Sequence, residues 1–155
     1  MRSDVRYVHT NLVARDWRLL ARFYTRVFGC RIEPPERDLK GAWLDRLTSI
    51  RSARVRGAHL ALPGYGRGGP TLEIFQYSTG ARSKLPSVDA PGIRHLAFSV
   101  GNVKQVLARV VNNGGCCVGE MVSAQVEGVG ALDVVYARDP EGNIIEIQKW
   151  GSASR

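Results

Sequence analysis

The sequence from His9 to Cys30, HTNLVARDWRLLARFYTRVFGC, returns in altered form from His95 to Cys116 as HLAFSVGNVKQVLARVVNNGGC. In both copies a histidine is followed seven residues later by a helix-capping residue, Asp16 or Asn102, and twenty-one residues later by a cysteine. Each copy also has the same local grammar. Leu96, Phe98 and Val100 alternate with His95, Ala97 and Ser99, the period of a half-buried strand. Val103, Val106, Leu107, Val110 and Val111 then recur at helical spacing behind Asn102, and Gly114 or Gly115 supplies a left-handed stop. In the first copy Asp16 caps, Leu20, Phe23, Tyr24 and Val27 form the apolar stripe, and Gly29 ends the helix. Two repeats are too few for a solenoid, so the duplication implies one domain of two modules.

The rest of the chain fits around these units. The first strand spans about Tyr7 to Ala14, and after the helix a short strand runs from Cys30 to Glu33 until Pro34 and Pro35 end it. The stretch up to about Arg56 reads as a flap, with a strand at Ala42 to Asp45 and a helical turn near Leu47. Gly57 to Leu62 and Thr71 to Tyr77 make a hairpin. Its turn contains Gly64, Gly66 and Gly69 in G-x-G-x-x-G spacing, but Pro70 and a strand follow where a dinucleotide fingerprint needs a helix. Residues 78–91 are small, polar and proline-rich, and read as a linker between modules at about 5–77 and 92–150 of a domain spanning 1–155. The second module adds strands at Cys116 to Val122, Leu132 to Ala137 and Ile144 to Lys149, with the turn DPEGN at Asp139 to Asn143. Each half is βα followed by about three strands, which predicts an α+β protein with mainly antiparallel sheets.

Composition narrows the function. With 155 residues and 44% hydrophobic content the chain can bury a sizeable core. No apolar run reaches the ~20 residues that span a bilayer, and the N-terminus MRSDVRYVHT has no signal-peptide core, so a cytoplasmic protein is expected. Three cysteines, Cys30, Cys116 and Cys117, form no CxxC motif and are expected to be reduced. The net charge of +8 includes Arg15, Arg18, Arg22 and Arg26 at helical spacing opposite the apolar stripe of the first helix. These read as a solvated face, because no nucleic-acid motif or interleaved aromatics accompany them.

Polar residues on otherwise apolar strands carry the chemistry. His9 lies between Val8 and Thr10, and Glu73 between Leu72 and Ile74. The second half repeats the pattern with His95 and with Glu146, between Ile145 and Ile147. A half-buried strand glutamate is costly unless it is paired, hydrogen-bonded or bound to a metal. Two imidazoles and two carboxylates at equivalent positions suit one octahedral divalent ion, Ni, Co, Zn, Mn or Fe, with room for water or substrate. His59, also on a strand, has no partner in the repeat and reads as structural.

On the residues HTNLVARDWRLLARFYTRVFG, TLEIF, IRHLAFSV and ARDPEGNIIEI the chain resembles the vicinal oxygen chelate superfamily, the glyoxalase, bleomycin-resistance and extradiol dioxygenase group. The resemblance implies paired βαβββ modules curling around one open cavity, and it carries over His9, Glu73, His95 and Glu146 as the metal positions. It implies a small-molecule substrate whose vicinal oxygens chelate the metal, with Glu146 or Glu73 moving a carbon-bound proton as in a lyase or isomerase. The pattern is similar to bacterial glyoxalase I and to methylmalonyl-CoA epimerase. Val13 and Tyr77 stand where glyoxalase I has arginine and asparagine contacts to glutathione, which speaks against that substrate. The alternatives are an Fe(II) extradiol-type dioxygenase using His9, His95 and Glu146, and a ligand-binding resistance protein without turnover. Asn11, Trp43, Phe75 and Tyr77 are the candidate substrate contacts. A homodimer is expected and nucleic acid is not.

Overall fold

Asp16 begins helix α1 (Trp17–Phe28) by accepting the backbone N–H groups of Arg18 and Leu19, each at 3.0 Å. Gly29 ends it with φ 74°, a left-handed turn that a side chain would strain. Both capping expectations hold, and Asn102 plays the same part for helix α3 (Val103–Asn112) by accepting from Gln105 N at 2.9 Å. Capped ends satisfy donors that would otherwise be orphaned, so each helix starts where its apolar stripe starts.

The computed structural model describes residues 4–80 and 84–151. It divides into two compact units, Met1–Arg82 and Ser83–Arg155. In the first, strands β1 (His9–Val13), β2 (Arg31–Lys40), β3 (Arg54–Ala61) and β4 (Thr71–Tyr77) form a sheet in the order β1-β4-β3-β2. Only the β1–β4 pairing is parallel. Helix α1 packs Leu20, Phe23, Tyr24 and Val27 on β3 and β4, where Ala58, Leu60, Leu72 and Ile74 are buried. Gly57 lets β3 and β4 close up: a Cβ there would lie 2.0 Å from the Ile74 carbonyl oxygen and 2.6 Å from the Phe75 ring.

The second unit repeats the plan. Strands β5 (His95–Ser99), β9 (Ile144–Trp150), β8 (Gly130–Arg138) and β6 (Cys116–Cys117) run in that order, and β7 (Val122–Val126) also pairs with β8. Here β5–β9 is the parallel pair. Helix α3 covers β8 and β9 with Val103, Val106 and Val110, opposite Val135, Ala137, Ile145 and Ile147. The α+β class with mainly antiparallel sheets is as the sequence predicts.

Three expectations fail locally. The strand expected to stop at Glu33 continues as β2 to Lys40 through a cis Pro34–Pro35 bond. It can do so because β2 is an edge strand and its register shifts between Glu33 and Arg37, which excuses the prolines from donating. The strand expected at Ala42–Asp45 is instead part of helix α2 (Ala42–Thr48). The Asp45 carboxylate accepts Ser52 N and Ala53 N at 2.8 and 2.9 Å, tying the loop back to the helix. The strand from Cys116 to Val122 is two pieces, β6 and β7, both laid along β8.

Part of the linker stretch is docked on the second unit. Arg138 donates to the carbonyl of Pro86 and to that of Gly142, both at 2.8 Å. Residues 81–83 of that stretch lie outside the described part. Among the described residues no helix is long and apolar enough to cross a membrane, and Cys30, Cys116 and Cys117 are free thiols. On the arginine face of α1, Arg18 stacks on Trp17 at 4.3 Å and pairs with Glu36 at 2.7 Å.

Candidate metal centre

Strand alternation decides which side chains face away from the helices. On β4, Leu72 and Ile74 are buried beneath α1 while Glu73 points to the opposite face, and β1 and β3 deliver His9 and His59 to that same face. Register sets their spacing. Glu73 lies directly across from Asn11 on β1 and from His59 on β3. Each oxygen of the Glu73 carboxylate has a polar neighbour: Asn11 Nδ2 donates to Oε2 at 2.7 Å, and His59 Nε2 sits 3.0 Å from Oε1. His9 Nε2 is 3.6 Å from Oε2. One donor atom from each of His9, His59 and Glu73 lies within 4.8 Å of the others, a separation that suits three donors sharing one ion.

His59, which sequence reasoning set aside as structural, is brought into this group by the structure. Its Nδ1 is 2.9 Å from the Thr71 hydroxyl, its ring stands edge-on to His9 with centroids 5.5 Å apart, and it packs against Phe75 at 6.1 Å. Burial holds the His59 imidazole below its ordinary value; Glu73 opposes this, while Arg37 and His9 add to it. A neutral imidazole is the form that binds metal.

The second unit builds a matching but smaller group. Glu146 faces away from α3 between buried Ile145 and Ile147, and His95 Nε2 lies 3.4 Å from its Oε2. The side-chain exposures of the two histidine–glutamate pairs agree closely, 39% and 13% for His9 and Glu73 against 37% and 17% for His95 and Glu146. Across from Glu146 on β8 stands Tyr136, whose ring lies 5.3 Å from His95 and whose hydroxyl donates to the Glu146 carboxylate. Burial first, and then Glu146 itself, push the Tyr136 phenol above its ordinary value.

The strand carrying Glu146 is aimed by the DPEGN turn. Asp139 is 3% exposed, and its carboxylate accepts Glu141 N at 2.9 Å, Asn143 N at 3.0 Å and Asn143 Nδ2 at 2.8 Å. This saturates a buried carboxylate and fixes the start of β9 two residues before Glu146.

Of the expected substrate contacts, Asn11 bonds Glu73, Phe75 and Tyr77 pack against the buried cluster of Leu44, Ala53 and Val55, and Trp43 is 48% exposed on α2.

A profile of the Glyoxalase/Bleomycin resistance protein/Dioxygenase superfamily matches residues 6–147, and the chain belongs to that superfamily. Among solved structures, a glyoxalase family protein from Bacillus cereus superposes with TM-score 0.80 at 22% identity, covering 96% of each chain. A glyoxalase I variant from Zea mays gives TM-score 0.63 at 20% identity over 92% of this chain and 44% of that one. TioX from Micromonospora sp. ML1 gives 0.53 at 18% identity over 95% of this chain and 100% of its own. At these identities the likeness is one of fold. No curated protein sequence matches the chain.

Proposed function

We propose that the protein is a metal-dependent lyase or isomerase of the glyoxalase type, with His9, Glu73, His95 and Glu146 as its metal-ligand positions. The observation that carries this reading is the pairing of a histidine with a half-buried glutamate at equivalent strand positions in both units, at 3.6 and 3.4 Å. A duplicated scaffold that keeps an imidazole beside a carboxylate twice, on a face turned from the core, is keeping metal-ligand chemistry rather than packing.

The bound ion would supply Lewis-acid polarisation of vicinal oxygens on a small carbonyl or acyl-thioester substrate. The chain's own residues divide the remaining work. Glu73 accepts the Asn11 amide at Oε2 and has His59 Nε2 beside Oε1, so it is suited to stay in place. Glu146 is the proton-moving carboxylate in this reading: it is half-buried, lies 3.4 Å from His95 Nε2 and stands across the ladder from Tyr136. Val13 and Tyr77 in place of glutathione contacts direct the search to substrates other than glutathione adducts.

A second reading has support of its own. Two histidines and one carboxylate in the first unit are the composition of Fe(II) oxygenase sites. Metal content of protein purified without a metal-affinity tag separates the two, with nickel, cobalt or zinc favouring the lyase or isomerase and iron the oxygenase. The proton-transfer role is tested with Glu146→Gln on a panel of dicarbonyl and acyl-thioester substrates. Turnover should fall by ~100-fold or more while the circular dichroism is retained. Unchanged turnover in that variant would remove the role.

A further inference from the structure

The same strand positions are not filled alike in the two units, and the difference falls beside the glutamates. Across the β3–β4 ladder Glu73 faces His59; across the β8–β9 ladder Glu146 faces Tyr136. The first unit therefore offers two imidazoles and a carboxylate, the second one imidazole, one carboxylate and a phenol. We infer that His59 is a third metal ligand of the first unit, beside His9 and Glu73. This inference rests on the metal reading above and specifies where the ion is anchored.

Geometry supports it. Donors bound about 2.1 Å from one ion lie roughly 3.0 Å apart when adjacent in an octahedron and about 3.4 Å apart in a tetrahedron. His59 Nε2 lies 3.0 Å from Glu73 Oε1 and His9 Nε2 lies 3.6 Å from Oε2, and one donor atom from each of the three residues lies within 4.8 Å of the others, close enough for small side-chain adjustments to bring them onto one ion. The surroundings of His59 support it as well. A ligating imidazole presents one nitrogen to the metal and hands the proton of the other to an outer partner, which fixes its tautomer and orientation. Thr71 Oγ1, 2.9 Å from Nδ1, is placed to take that proton, leaving the Nε2 lone pair on the side of Glu73 and His9. Asn11 does the corresponding service for Glu73, whose orientation its amide fixes at 2.7 Å. Each of these two ligands has an outer residue that orients it, which three polar side chains meeting by chance on a sheet face would not require. At the corresponding rung of the second unit the residue across from the glutamate is Tyr136, which brings a phenol in place of a second imidazole.

The test uses the full chain, stripped with a chelator and titrated with Zn(II) against a chromophoric competitor. Cu(II)-loaded samples are examined by pulsed electron paramagnetic resonance, which counts coordinated imidazoles. His59→Ala should weaken binding by about tenfold or more and lower the imidazole count by one, and Thr71→Val should weaken it with the count unchanged. Should His59→Ala fail to fold, His59→Gln, which keeps an amide within reach of Thr71, takes its place. An unchanged imidazole count in the His59 variant overturns the inference and leaves the four-ligand reading standing. A parent protein that binds neither ion overturns both.

Discussion

His59 and Tyr136 occupy one and the same rung of a duplicated sheet, each directly across an antiparallel ladder from the glutamate of its unit, Glu73 or Glu146. The two units thus share a framework and differ in the group that touches their carboxylate. Several measurable properties depend on that framework.

Metal binding should stabilise the fold. An ion that binds only the native chain at about 100 times its dissociation constant adds about 2.7 kcal/mol, which for a chain of this length raises Tm by roughly 5–10 °C. Differential scanning fluorimetry with Ni(II), Co(II), Zn(II) and Mn(II) should show such a shift for at least one ion, and His9→Ala with Glu73→Gln should abolish it.

The metal-free protein should weaken in mild acid on account of His59. Its imidazole is held below the ordinary 6.5 in the fold, chiefly by burial, so between the folded value and about 6.5 the unfolded chain binds more protons. Stability is then complete above about pH 6.5 and declines as pH falls through the window beneath it. Urea midpoints measured from about pH 8 down to pH 5 should show the decline, and His59→Gln should flatten it. A parent curve as flat as the variant's would mean that His59 takes up its proton as readily in the fold as out of it.

Asp139→Ala should destabilise the protein by about 1–3 kcal/mol, because three donors around a buried carboxylate lose their acceptor together. Since the same turn sets the start of β9, metal affinity should fall with it. Asp139→Asn keeps one acceptor oxygen and should cost less. Urea denaturation of the two variants checks the order.

Only two of the three cysteines should react in the native state. Cys30 is fully buried, and burial pushes its thiol up to about 11, whereas Cys116 and Cys117 are exposed on β6. Ellman's reagent should titrate two thiols promptly and the third only after denaturant is added; three prompt equivalents would show that α1 does not seal Cys30.

Much of this was legible because local signals and tertiary demands agree. The spacing of His9, Asp16 and Gly29, repeated in His95, Asn102 and Gly114, marks strand, cap and stop, and each behaves accordingly. Alternation around Glu73 and Glu146 likewise gives their outward face. Pro34 and Pro35 misled, since proline reads as a terminator in sequence and only position at a sheet edge makes it harmless. The grouping of His59 with His9 and Glu73 escaped notice for a different reason. A search for like residues at like spacing passes over a rung where the partner is tyrosine. The signal was present in the hairpin itself: Ala58 and Leu60 flank His59 as Leu72 and Ile74 flank Glu73, and antiparallel pairing around the glycine-rich turn sets the two polar residues face to face.

The rung shared by His59 and Tyr136 also places this chain close to other versions of itself. The genetic code separates histidine from tyrosine by a single first-position base, so a chain with two three-donor units, or with none, lies one nucleotide away in either direction. Tyr136→His and His59→Tyr are therefore the smallest inherited steps by which metal-holding strength could move between the units while every strand keeps its register.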